Sequence, residues 1–391
     1  MNQTSDVIVI GGGIMGTSAA FQLADRGLRV TLVEKGHLAG GTTGRSSAII
    51  RQHYSNEITA RMALYSLHVF QDFPKVVGGD CGYRRTGFVV LASRDERKGL
   101  EANVALQQSV GIDTRLLDPD DLRGLTPGME GVEEVFAAYE PDGGYADPSA
   151  TVNAFGEAAR RKGAAILQDT EVVDVSMDHG RVQGVVTSRG EIAAGAVVNT
   201  AGPWAGRIAR RVGVDLPIHP CRVQVAFFAP PRDGTPAPLV FADFPNVTYF
   251  RPETGDLTLI GSLDPAEGKV HADPDQFRES VDPDFILDMG ERLTRRFSSM
   301  ERGHSRGGYA SIYDVTPDWH AVIDEVPRGS GFFIAAGHSG HGFKLGPAVG
   351  VMVADLVTDG STPGLDPRPF RLARFEEGQP IRGSFDYSIA G

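Results

Sequence analysis

A chain of 391 residues that is 41% hydrophobic has the material for a sizeable core, and should divide into two or three compact units. The net charge of −12 argues against a sequence-independent grip on nucleic acid, and no stretch reaches the ~20 apolar residues that a membrane span requires. Two cysteines, Cys81 and Cys221, are too few for a disulfide framework or a metal cluster, so each reads as a small buried hydrophobe.

The first residues, Met1 to Asp6, carry no basic segment, and Val7 to Ile10 is too short for a signal core, so a cytoplasmic location is expected. Val7-Ile8-Val9-Ile10 is β-branched throughout and reads as a fully buried strand. Thr17 to Arg26 reads as a helix ended by Gly27, and Arg29 to Glu34 as the next strand, completing a βαβ unit. A Gly/Ser/Thr loop follows at 41–47, then a helical stretch over 55–75. Short strands and turns occupy Tyr83 to Asp147. A helix from Thr151 to Lys162 leads to a strand near Ile166 and to further strands at 171–174, 182–188 and 196–199. A second β-rich block runs from Cys221 to Tyr313 around a helix near 284–297. Gly331 to Ala336 is the last strand and Gly346 to Val357 the last helix. The tail from Asp366 is polar and is expected to be less ordered.

Nucleotide-type segments therefore recur at the start, middle and end, with β-rich segments between them. The fold expected is α/β, with a Rossmann-type nucleotide-binding domain (1–80, 145–215 and 325–391) interleaved with an antiparallel β-rich domain (81–144 and 216–324).

Gly11-Gly12-Gly13-Ile14-Met15-Gly16 matches G-x-G-x-x-G between a buried strand and a helix, and Glu34 closes the next strand. In that context Gly11 permits the tight turn, Gly13 lets backbone approach a pyrophosphate, and Gly16 lets the helix pack on the strand. The helix N-terminus offers N–H groups to phosphate, and Glu34 can accept from ribose hydroxyls. Three further segments favour FAD over NAD. Thr200-Ala201-Gly202-Pro203-Trp204 is a second glycine turn after a distant strand. Residues 41–47 supply hydroxyl and backbone donors beyond the ribose acid. Gly340-His341-Gly342-Phe343-Lys344 joins N–H groups, a helix start and a cation, as the edge of a reduced, anionic flavin requires.

Together with SSAIIR (46–51), YDVTPDWHAVID (313–324) and AAGHSGHGFKLGPAVG (335–350), these segments resemble the D-amino acid oxidase superfamily of flavoproteins, and most of all its sarcosine oxidase branch. The resemblance covers nearly the whole chain. It implies FAD-dependent oxidation of a C–N bond in a secondary amine or amino acid bearing a carboxylate, giving an imine that hydrolyses, with O2 or another carrier as acceptor. Oxidation of a 2-hydroxy acid, or service as the flavin subunit of a larger amine-oxidising complex, is the alternative. A partner subunit or homo-oligomer is compatible with either.

By the same resemblance, Arg51 and Lys344 face the substrate carboxylate, with Tyr313 and Tyr249 at the active site. Cofactor contacts are expected from Gly11, Gly13, Ile14, Met15, Gly16, Glu34, Lys35, Thr42, Thr43, Arg45, Ser46 and Ser47. The others are Val172 and Val173 at the adenine, then Ala201, Gly202, Trp204, Gly340, His341, Gly342, Phe343 and Lys344. No metal site is expected; His338 and His341 sit on a glycine loop with no carboxylate near in sequence. Three departures from the branch stand out. Ser311 occupies the position of a flavin-linking cysteine, which implies noncovalent FAD. Thr258 falls where an oxygen-activating lysine is expected, leaving Lys269 as a substitute. Ala48 and Leu263 replace basic residues around the substrate, so its pocket should differ.

Overall fold

Along Val7–Ile10 and its neighbours, side chains alternate between two cores, as strand geometry dictates. Val7, Val9 and Leu32 point to helices; Ile8, Ile10 and Val33 point to a second layer of sheet. Nearly all are fully enclosed, and each such aliphatic side chain contributes about 1.5–3 kcal/mol. The computed structural model describes residues 3–232, 234 and 237–383.

The central sheet has six strands in the order Val322–Glu325, Phe332–Ala336, Ala196–Asn199, Val7–Ile10, Val30–Val33 and Ala165–Leu167. All pairs are parallel except the first. Helices Ile14–Asp25, Glu57–Gln71, Pro148–Arg161 and Gly342–Thr358 share the core on one face. The other face meets a four-stranded sheet built mainly from Val172–Asp178, Arg181–Thr187 and Gly190–Ala193. The chain is thus an α/β fold with a Rossmann-like parallel core.

A separate eight-stranded sheet takes in 88–92, 115–117, 136–140 and the strands between 219 and 315. It is antiparallel except where Val240–Asp243 runs alongside Phe88–Ala92. Helix Pro283–Thr294 packs on one face, burying Phe285, Met289 and Leu293. Val322–Glu325, which straddles the sequence-derived boundary at 324, pairs in the six-stranded sheet with Phe332–Ala336. The two cysteines are free and buried, as their isolation in the sequence suggested. Among the described residues no helix is long and apolar enough to cross a membrane.

The polar tail is better anchored than its composition suggests. Arg374 is wholly buried and makes a bidentate pair with Asp318 at 2.8 and 2.9 Å, while Phe370 enters the main core. Asp318 also accepts from the Ile381 N–H at 3.0 Å. The last part of the expected loose tail, 384–391, lies outside the described residues. Arg374→Met would strand the Asp318 carboxylate, and is expected to cost about 3–5 kcal/mol, read as a lowered denaturant midpoint.

Candidate functional site

The carboxyl ends of Val7–Ile10, Val30–Val33, Ala196–Asn199 and Phe332–Ala336 border a cavity of about 720 Å3. Parallel sheets of this kind hold ligands at those ends. The glycine turn shapes the floor. Gly11 has φ +111, and a Cβ there would stand 2.6 Å from the Thr200 carbonyl oxygen. A Cβ on Gly16 would stand 1.9 Å from the Gly11 oxygen, so only hydrogen lets the helix lie this close to the strand.

Helix Ile14–Asp25 starts at Gly13 without a side-chain cap and without an acidic residue in its first turn. Its dipole and the N–H groups of its first turn therefore suit an anion. The last helix, Gly342–Thr358, also starts uncapped. Gly346 and Gly350 press it against the first helix, since a Cβ on either would fall within 2.3 Å of Ile14 Cγ1 or Ser18 Oγ. That contact brings both helix starts to one cavity, which Ile14, Met15, Gly342 and Phe343 line.

Glu34 accepts from the Gly12 and Gly36 N–H groups, each at 2.7 Å. Those bonds fix its carboxylate at the cavity wall while leaving lone pairs for ribose hydroxyls. Thr43 Oγ1 accepts from the Ile14 N–H at 3.3 Å. Val173 also lines the wall, at a bulge in the strand register between Val172 and Asp174. A cavity whose floor a Cβ would fill, with two uncapped helix starts and a fixed carboxylate, fits a dinucleotide.

Lys35, Arg45 and Trp204, expected as cofactor contacts, line the rim and are held there by a strap, residues 271–282, that precedes helix Pro283–Thr294. Asp275 accepts from Lys35 Nζ at 2.9 Å and Trp204 Nε1 at 2.8 Å, and also pairs with Arg207. Arg45 pairs with Glu279 at 2.8 Å and lies over Phe277. Burial alone would raise the Asp275 carboxyl, yet the bonds from Lys35, Trp204 and Arg207 bring it down to about 2. Arg207, Asp275, Glu279, Gln224 and Tyr309 all line the cavity. None stood out in the sequence; Asp275 and Glu279 lie on the strap, far from every glycine motif.

At the inner end stand Tyr249, Tyr313, Ser47 and Ser311. The Tyr249 hydroxyl is hydrogen-bonded to Ser47 and Tyr313. Burial raises both phenols, Tyr313 to about 12, so both are neutral donors near neutral pH. Of the expected site residues, Gly16, Arg51, His341 and Lys344 do not line the cavity. Gly16 is packed between helix and strand. The His341 ring sits 5.7 Å from that of Tyr54. Arg51, 8% exposed, donates to the His53 carbonyl and lies 4.5 Å over the Tyr54 ring. Lys344, 7% exposed, is driven well below the usual lysine range by burial and then by Arg51. Arg51 and Lys344 thus form one buried basic pair, and Arg51 also acts on Tyr313.

Thr258 proves to be a structural residue. It is 1% exposed, its hydroxyl accepts from the Ala237 N–H at 3.1 Å, and it does not line the cavity. Lys269 is exposed on a turn. Leu263 packs in an apolar cluster with Ile49 and Phe88.

The chain belongs to the FAD dependent oxidoreductase family, whose sequence model matches residues 6–356. A solved structure of L-proline dehydrogenase from P. horikoshii is 30% identical, covers 97% of this chain and 100% of its own, and superposes with a TM-score of 0.89. Glycine oxidase of Geobacillus kaustophilus is 28% identical over 96% of this chain and 98% of its own length. Sarcosine oxidase subunit beta of Rhodobacter capsulatus is 27% identical over 98% of this chain and 92% of its own. The protein is accordingly an FAD-dependent oxidoreductase, with amine and amino acid oxidases and dehydrogenases among its homologues.

Proposed function

We propose that the chain oxidises the C–N bond of a secondary amine or amino acid bearing a carboxylate, and that the resulting imine hydrolyses in water. The observation that carries this reading is the buried pair of Arg51 and Lys344 beside the tyrosine-lined end of the cavity. A buried arginine calls for an anion, and its planar fork suits a carboxylate. The names of the relatives, which include proline, glycine and sarcosine enzymes, support an amino acid substrate.

On this reading the bound flavin supplies the hydride acceptor. Gly11, Gly13 and Glu34 would hold its adenosine and pyrophosphate portion, together with the 42–47 loop and the start of helix Ile14–Asp25, and Gly340, Gly342 and Phe343 would stand on the side of its reactive ring. Arg51 carries the positive charge that orients the substrate acid, and Lys344, biased toward the neutral amine, donates a hydrogen bond beside it. Tyr249 and Tyr313 exclude water and present neutral hydroxyls to the amine side. No protein nucleophile is required.

The test compares proline, sarcosine, glycine and D-amino acids with their neutral methyl esters and with 2-hydroxy acids. Turnover of an amino acid that falls about a hundredfold for its ester supports the reading. Turnover of 2-hydroxy acids alone would sink it. Ser311, which lines the cavity where a thiol would be needed for a flavin link, supports noncovalent FAD. Acid precipitation is therefore expected to leave all the flavin in the supernatant. A second reading, service as the flavin subunit of a larger assembly, draws on the relative named as a subunit beta. An isolated chain that turns over substrate at full rate counts against it.

A further inference from the structure

The middle of the strap crosses the rim of the cavity as a span fixed at both ends. The Ala272 N–H donates to the Pro220 carbonyl at 3.0 Å, and the Ala310 N–H to the Glu279 carbonyl at 2.7 Å. Arg222 adds bonds to the carbonyls of Arg278 and Ser280, at 2.9 and 2.7 Å. Both ends are thereby tied to strands His219–Ala229 and His304–Val315. The residues between, 273–278, reach the opposite wall through side chains, and Pro274, Asp275 and Phe277 line the cavity.

That wall is built from two places in the six-stranded sheet. Lys35 follows strand Val30–Val33, and Trp204 and Arg207 follow strand Ala196–Asn199. These strands flank Val7–Ile10, whose carboxyl end carries the Gly11 turn. Lys35 Nζ lies 3.7 Å from the centre of the Trp204 ring, so side chains from the two flanking strands meet. Asp275 joins both to the strap. Its Oδ1 accepts from Lys35 Nζ at 2.9 Å and from Trp204 Nε1 at 2.8 Å, and its Oδ2 pairs with Arg207. Asp273 also pairs with Arg207, at 2.8 Å, and accepts from the Asp275 N–H at 2.9 Å, which fixes the local turn.

We propose that Lys35, Trp204 and Asp275 form a clasp across the path of the cofactor, which must open for FAD to enter and again for it to leave. All three line the cavity, and the clasp consists of protein groups alone. Lys35 and Asp275 are each 42% exposed and Arg207 43%, so each pair is screened by water and weak on its own. Three donors nonetheless converge on one carboxylate, and the span lifts only when they part together. Such a barrier is crossed in both directions. It slows uptake and release by the same factor and leaves affinity unchanged. A side chain in direct contact with bound FAD acts differently, since its loss speeds release and weakens affinity while uptake hardly changes. Lys35 and Trp204, expected from the sequence as cofactor contacts, thus become residues that retain the cofactor by gripping the strap.

The test measures both rates without reference to turnover. Protein loaded with radiolabelled FAD and chased with excess unlabelled FAD gives the rate of release. Apoprotein mixed with FAD and followed by flavin fluorescence gives the rate of uptake. Asp275→Ala should speed release and uptake alike, each by about tenfold, and leave the equilibrium Kd within about twofold. Glu101→Gln is the control. It removes an exposed pair of the same kind, with Arg97, on a helix that does not line the cavity, and should leave both rates as in the wild type. Release that quickens in Asp275→Ala while uptake stays constant overturns the proposal, and makes the gripped side chains direct FAD contacts instead. Unchanged rates overturn it as well, and so does an equal rise in Glu101→Gln, which would reduce the effect to general surface charge. Should Asp275→Ala not fold, Trp204→Phe, which keeps an aromatic ring but loses the N–H donated to Asp275, should speed both rates by about threefold. Rates that do not move together in that variant overturn the proposal.

Discussion

Gly16→Val is expected to leave little or no FAD on the protein, the largest effect predicted for a single substitution here. A Cβ at this position would stand 1.9 Å from the Gly11 carbonyl oxygen and 2.7 Å from Thr200 Oγ1, both fixed by backbone. Thr200 cannot yield cheaply, because its N–H and hydroxyl both donate to the Ile10 carbonyl, at 2.9 and 2.7 Å. The helix must therefore move off the strand, and its start, where the pyrophosphate is expected, moves with it. Overpacking of this kind costs about 1–3 kcal/mol or more in stability, and a shifted anion site should cut FAD affinity by about a hundredfold. Flavin content per chain and thermal stability with and without added FAD measure both terms. Gly27→Ala is the control. Gly27 has φ +85 but open space around its Cβ direction, so the change should cost about 1 kcal/mol and leave FAD in place.

Arg51→Met should reduce kcat/KM for the acid substrate by about two to three orders of magnitude, because it removes one partner of a buried charge-assisted contact. FAD should stay bound, since Arg51 does not line the cavity. Preference for the acid over its neutral ester should vanish. Arg51→Lys, which keeps charge but loses the fork, should fall between the two. Steady-state kinetics on acid and ester in parallel distinguish a lost carboxylate contact from general damage, which would slow both equally.

How far the sequence reached follows from where each constraint lies along the chain. Val7 to Gly16 and Glu34 declare themselves within 30 residues, because strand, turn, helix and acid follow one another without interruption. Arg51 and Lys344 were singled out through the family resemblance of segments 46–51 and 335–350. The buried carboxylate of Glu140, which accepts from the Gln52 N–H, gave no signal, since the two lie 88 residues apart and an isolated Glu in a β segment carries no pattern. The strap carrying Asp275 joins Lys35 across 240 residues, and Arg374 reaches Asp318 across 56, again without periodicity. Polar composition made the tail look loose, whereas one fully buried guanidinium secures it. Thr258 misled in the opposite direction. Alignment with an expected lysine suggested a place near the flavin, but the strand Leu257–Ser262 turns the residue into the sheet, against the Ala237 N–H.

Anaerobic mixing of the FAD-loaded protein with amino acids and secondary amines tests the central claim most directly. Loss of the oxidised flavin absorbance with an amino acid, and not with its neutral ester or with a 2-hydroxy acid, is the result predicted. An FAD-loaded protein that keeps its oxidised spectrum with every amine and is bleached only by 2-hydroxy acids, or a protein that takes up no FAD at all, would contradict it.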